Sequence, residues 1–145
     1  DGALRRECRE LAERLGLTGR VLLPGQVRDI PVWYAMADAA VSSSRSEGLP
    51  FNIVEAMYAG LPVVASKVKG HRDLITDGIT GLLYPYGDEN ACAERILQLT
   101  ESESLRHKLA QNAKEAAAQY GLGRVLPQVW EQYASLMRRE TMVQK

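Results

Sequence analysis

Cysteine is scarce in this chain. Cys8 and Cys92 are its only two thiols among 145 residues, and they stand without metal-ligand spacing. Each falls on the apolar face of an expected helix, which predicts two buried, reduced thiols. An excess of one charge is also absent. Eighteen basic residues balance eighteen acidic ones, so no net field draws the chain to nucleic acid or to an anionic membrane. No apolar run approaches the ~18 residues of a transmembrane helix. The opening D-G-A-L-R-R-E lacks the basic-then-apolar order of a signal peptide. No G-x-G-x-x-G follows a first strand, which disfavours a dinucleotide-binding enzyme such as a nucleotide-sugar epimerase. Internal repeats, low-complexity segments and linkers are missing too. The expected location is cytoplasmic, with peripheral attachment at the inner face of the membrane allowed.

What remains is ordinary globular composition, 46% apolar and 25% charged, at a length suited to one domain. Leu4, Cys8, Leu11, Ala12 and Leu15 repeat at helical spacing and predict a helix over 3–16 that stops at Gly16. V-L-L (21–23), bounded by Pro24 and Gly25, predicts a buried strand. Further strands are expected at 39–41, 63–65 and 81–84, and short helices at 31–37, 51–59 and 71–76. Beyond Asp88 the pattern is helical throughout, over about 89–100, 102–119 and 122–138, with a frayed tail over 139–145. Short apolar strands alternating with helices predict an α/β fold with a Rossmann-like parallel sheet flanked by helices and a helical C-terminus. Ligands in such sheets bind beyond the carboxyl ends of the strands, which points to the loops 24–28, 42–50 and 66–72.

The central loop is the most informative. S-S-S-R-S-E-G-L-P-F-N-I-V-E (42–55) sets Glu47 and Glu55 on either side of a helix start. Pro50 presets the first turn, which predicts free backbone N–H groups on Phe51, Asn52 and Ile53. Free N–H groups at the positive end of a helix dipole bind anions, phosphate above all. Gly48 removes a side chain where a ligand approaches the backbone. Two carboxylates repel phosphate but accept hydrogen bonds from sugar hydroxyls. A nucleotide sugar suits this combination. A capped helix flanked by two solvated glutamates fits the same residues.

Glu47 through Glu55, followed by A-M-Y-A-G-L-P-V-V-A-S, resembles the signature of the retaining glycosyltransferases of family 4. These have the GT-B fold, two Rossmann-like domains with a cleft between them. The resemblance extends over nearly the whole chain. D-G-A-L-R-R (1–6) resembles the family's loop before a helix. V-L-L-P-G-Q-V (21–27) resembles its next strand and base-contacting loop. D-G-I-T-G-L-L-Y (77–84) matches its D-G-x-x-G-x-L element. The variant E-G-L-P-F-N-I-V-E with G-H-R-D-L-I (70–75) resembles members that build capsular polysaccharide or exopolysaccharide. Ser43 and Leu49-Pro50 depart from the family, which often has proline and an aromatic-glycine pair at these places.

The resemblance implies roles for single residues. Glu55 accepts hydrogen bonds from the ribose. Glu47 holds hydroxyls of the donor sugar and is the residue nearest to catalysis, though not as a nucleophile or base. Gly48 and the N–H groups of Leu49, Phe51 and Asn52 lie at the sugar and diphosphate. Gly25 and Val27 lie beside the base, and Ser44 matches a serine before the first glutamate. Neither metal nor cofactor is implied. The implied partners are a nucleotide-sugar donor, a glycan or lipid-linked acceptor, and an N-terminal domain of the same protein. The family's C-terminal domain opens with a strand, a helix and a second strand, and carries Arg and Lys for the diphosphate. Residues 1–145 are thus expected to be one donor-binding domain lacking its first strands, with sheet edges that stay exposed or drive rearrangement or self-association. A non-catalytic α/β nucleotide-binding or regulatory module is the alternative.

Other side chains receive plainer expectations. Lys67, Lys69, His71 and Arg72 form a solvated basic loop, an anionic acceptor or membrane surface being the functional alternative. His107 is exposed. Trp33 and Trp130 belong to the core. The stripe Val125, Leu126, Val129, Trp130, Tyr133, Leu136 and Met137 packs on its own domain or forms part of an interdomain surface.

Overall fold

A computed structural model of the chain describes residues 2–143, with side chains through residue 138. By contacts it divides into two compact units, residues 1–33 and residues 34–145.

The first unit contains α1 (Arg5–Arg14). No side chain of α1 is buried. Its apolar stripe faces solvent, and Cys8 is exposed, contrary to expectation. The segment 21–23 is not a strand either. A strand needs a neighbour for its ladder, and among the described residues V-L-L has none, leaving Leu22 70% exposed. The Arg5 guanidinium instead donates to the Leu23 carbonyl at 2.6 Å. Trp33, expected in the core, is 40% exposed.

The second unit is the α/β body. Its elements are β1 (Ala40–Ser42), α3 (Phe51–Tyr58), β2 (Val63–Ser66), α4 (Lys69–Leu74), β3 (Leu82–Tyr84), α5 (Glu89–Glu101), α6 (Glu103–Ala117) and α7 (Leu122–Val143). A short helix α2 (Ile30–Met36) precedes β1. The three strands are parallel in the order β1-β2-β3, with Ala40 opposite Val63 and Val64 opposite Leu82. The parallel sheet flanked by helices expected from the alternation is thus present.

Central β2 is buried along its whole length, which its uninterrupted apolar run Val63-Val64-Ala65 accommodates. Side chains alternate across it. Val63 and Ala65, with Leu83, meet Ile53, Val54, Ala56 and Met57 of α3 and Ala113 and Ala117 of α6. Val64, Leu82 and Tyr84 meet Leu99 and Leu109 on the other face. Asp88 and Ser102 cap α5 and α6, accepting from the N–H groups of Ala91 and Leu105. Cys92 is half-buried at the second cluster.

β1 is an edge strand, and Val41 on it is half exposed. The α7 stripe is likewise uncovered. Leu126, Val129, Trp130, Tyr133 and Leu136 are all exposed, so Trp130 is not a core residue. The α7 backbone runs through much of the expected frayed tail, to Val143; residues 144–145 lie outside the described residues.

Candidate functional site

Parallel strands end on one side of a sheet. The loops after β1 and β2, residues 43–50 and 67–68, therefore leave the same carboxyl edge. The first runs into α3. Pro50 is the residue before α3, in line with the helix expected over 51–59, with φ −74° and ψ 95°. Its carbonyl accepts from Ile53 N at 3.0 Å and Val54 N at 3.1 Å. The Ile53 N–H is accordingly bonded, contrary to the expectation of a free group. Among the described residues, no acceptor meets the N–H groups of Phe51 and Asn52, which remain at the positive end of the helix. The Phe51 side chain is 69% exposed, and Asn52 and Leu49 are exposed beside it.

Glu47 is half-buried in the loop, and Glu55 is exposed one turn into α3. Gly48 has an ordinary backbone conformation, and a Cβ there would meet nothing within 4 Å. Neither backbone nor packing requires glycine at this point, which leaves open space over the peptide.

No motif or spacing in the sequence marks Tyr34 as a functional residue. Its hydroxyl donates to Glu55 Oε2 at 3.2 Å and to the Asn52 carbonyl at 3.1 Å. Partial burial raises the Tyr34 pKa above the usual 10, and the Glu55 carboxylate adds to this as hydrogen-bond acceptor and as charge. Only the packing of α2 near the start of α3 joins these residues, and spacing does not encode that.

The basic loop is also different from expectation. Lys67, Lys69 and Arg72 are exposed, and Lys69 pairs with Asp73 at 3.2 Å, an exposed contact of little energetic weight. His71 is not solvated at all: it is fully buried. Its Nδ1 lies 2.7 Å from the Ser66 carbonyl, and its Nε2 3.2 Å from Ser42 Oγ. Ser66 Oγ donates to the Ser44 carbonyl at 2.6 Å, and Ser44 Oγ lies 3.3 Å from Ser42 Oγ. Ser44 thus enters a buried polar cluster. His107 is exposed as expected, 3.9 Å from Glu103.

Gly25, at φ 76°, and Val27 are half-buried in the first unit, in the segment after Leu23. Among the described residues no group of three or more His, Cys, Asp or Glu side chains converges as a metal site. No described helix is long and apolar enough to cross a membrane.

Residues 1–116 match the family model for glycosyl transferases group 1. The chain belongs to this family. EpsD of Bacillus subtilis, named a glycosyltransferase, is 36% identical over 141 residues, covering 97% of this chain and 37% of EpsD. The Vi polysaccharide biosynthesis protein VipC/TviE of Salmonella typhi is 32% identical over 110 residues, 72% of this chain and 19% of that protein. Among solved structures, HepE of Anabaena in complex with UDP is 33% identical with a TM-score of 0.84, over 90% of this chain and 36% of HepE. This group 1 glycosyl transferase chain thus spans little more than a third of EpsD and HepE and about a fifth of the Vi protein. Its α/β architecture is that of GT-B glycosyltransferases, and it is similar to enzymes of polysaccharide biosynthesis.

Proposed function

We propose that this chain is the nucleotide-sugar-binding part of a retaining glycosyltransferase, from the C-terminal domain of a GT-B enzyme. One observation carries the proposal. At the carboxyl edge of the sheet, unbonded N–H groups at the start of α3 stand with an uncrowded Gly48 and with carboxylates on both sides. Backbone N–H groups suit a diphosphate, and carboxylates suit the hydroxyls of ribose and sugar. Glu55 takes the ribose, oriented by Tyr34, and Glu47 takes the donor sugar. Gly48, Leu49, Phe51 and Asn52 line the sugar and diphosphate. HepE's complex with UDP favours a UDP-linked donor.

On this reading the whole protein transfers a sugar from a UDP-sugar to a hydroxyl of a glycan or lipid-linked acceptor during surface polysaccharide synthesis. Similarity to the Vi protein supports that class of product. Rate comes from positioning donor and acceptor and from stabilising the departing diphosphate, with no protein nucleophile and no metal. A second domain of the same protein supplies the acceptor site, at the cytoplasmic side of the membrane.

The test is substitution in the whole protein. Glu47→Ala and Glu55→Ala are each expected to abolish sugar transfer while leaving the thermal melting curve in place. Parental turnover in both variants would discard the donor-site assignment.

A further inference from the structure

His71 has no part in the donor contacts above, yet it is the only fully buried imidazole or charged side chain among the described residues. Its surroundings fix which nitrogen of a neutral ring carries the proton. The Ser66 carbonyl can only accept, so Nδ1 carries it. In the neutral ring Nε2 is then a lone pair to which Ser42 Oγ donates. Ser44 Oγ donates to Ser42 Oγ, and Ser66 Oγ donates back to the Ser44 carbonyl. The bonds close a ring: Ser44 to Ser42 to His71 to Ser66 to Ser44. Among the described residues no buried side-chain polar atom lacks a partner.

This ring joins the last residue of β1, the last residue of β2 and the first turn of α4 to Ser44, near the root of the 43–50 loop. The neighbouring Gly70 holds the same loop further along. A Cβ on Gly70 would lie 2.6 Å from the Gly48 carbonyl oxygen and 2.7 Å from that of Glu47, so α4 abuts the peptides that carry the donor-sugar carboxylate. We propose that neutral, Nδ1-protonated His71 is a positioning residue that locks the Glu47–Gly48 loop against the carboxyl ends of β1 and β2 and so sets the Glu47 carboxylate for the donor sugar. The last step rests on the donor-site reading given above; the locking of the loop stands on the geometry alone.

The experiment has two arms. In the first, nitrogen NMR of this chain reads the His71 tautomer, and backbone amide order parameters compare the parent with His71→Gln. Imidazole in water favours the Nε2–H form, so an Nδ1–H form identifies the ring of bonds. His71→Gln is expected to lower the order parameters of Glu47, Gly48 and Leu49 from the rigid range of ~0.85 to below ~0.6, with α5 and α6 unchanged. An Nε2–H tautomer, unaltered loop order parameters, or a fall spread evenly through α5 and α6 each overturns the proposal.

In the second arm, affinities of the whole protein for UDP-glucose and UDP are measured for His71→Gln, Glu47→Gln and the double variant. His71→Gln is expected to weaken UDP-glucose about tenfold and leave UDP unchanged. In the Glu47→Gln background the same change should add little, because its effect passes through Glu47. Full additivity of the two changes overturns the positioning role. A parent that binds neither ligand, with the loop still loosened in the first arm, overturns the donor-site reading and leaves the His71 lock standing.

Discussion

At the scale of single residues, the proposed donor site includes the Tyr34–Glu55 contact as well as its two glutamates. A carboxylate on an exposed helix face samples several rotamers. The Tyr34 hydroxyl, shared with the Asn52 carbonyl, restricts Glu55 to one side of α3. A hydrogen bond to a charged group contributes roughly 1.5–3 kcal/mol when sheltered and less when exposed. Tyr34→Phe removes only the hydroxyl and is expected to weaken UDP binding to the whole protein by about three- to tenfold, with little change in stability. Calorimetric titration checks this, and an unchanged affinity separates Tyr34 from the ribose-holding role proposed for Glu55.

At the scale of elements, the strands are tied by side chains as well as by their ladders. Tyr84 at the end of β3 is buried in the second apolar cluster, and its hydroxyl donates to the Ser42 carbonyl of β1 at 3.3 Å, spanning β2. Burial, with a contribution from Cys92, pushes its pKa up to about 12 from the usual 10. The folded state therefore holds the phenol proton more tightly than the unfolded chain. Its stabilisation is complete below pH 10 and is lost as pH rises from 10 towards 12. Chemical denaturation across that range should show a steep alkaline decline in the parent and a shallower one in Tyr84→Phe. The variant should also start about 1 kcal/mol less stable at neutral pH, through the lost hydrogen bond. Equal alkaline slopes would remove Tyr84 as the group responsible.

The elements also show which expectations could be read locally. The strands at 39–41, 63–65 and 81–84 lie within a residue or two of β1, β2 and β3, because each is a short apolar run between turn residues. α5 and α6 carry their own caps at Asp88 and Ser102. V-L-L has the same local character as the true strands and is not one. Strand formation needs a partner for the ladder, and a sequence run says nothing about whether one is at hand. The Trp33, Trp130 and Cys8 expectations failed for a related reason. Helical spacing shows that a stripe is apolar, not that anything covers it.

At the scale of the whole molecule, the uncovered surfaces set the behaviour of the chain. The α7 stripe and the β1 edge present apolar side chains and open strand groups to solvent. Sedimentation is expected to show concentration-dependent self-association of the 145-residue chain, reduced in a Leu126→Glu, Trp130→Glu double variant. Those side chains are 58% and 68% exposed, so the melting temperature should move little. The same chain is expected to show no sugar transfer on its own, since acceptor binding is assigned to another domain. Strictly monomeric sedimentation, or full transfer by these residues, would refute the respective expectation.

The sequence by itself determined the α/β class, the order of the strands along the chain, the helical C-terminus and the family, together with the residues from Glu47 to Glu55 that carry the donor-site proposal. These depend on local periodicity, on turn residues and on a contiguous motif. The tertiary structure alone decided that Tyr34 reaches Glu55 and that His71 leaves the basic loop for a ring of serines. Each joins residues about 20 to 30 positions apart. Such contacts arise where helices and strand ends pack, and the spacing of residues along the chain holds no record of them.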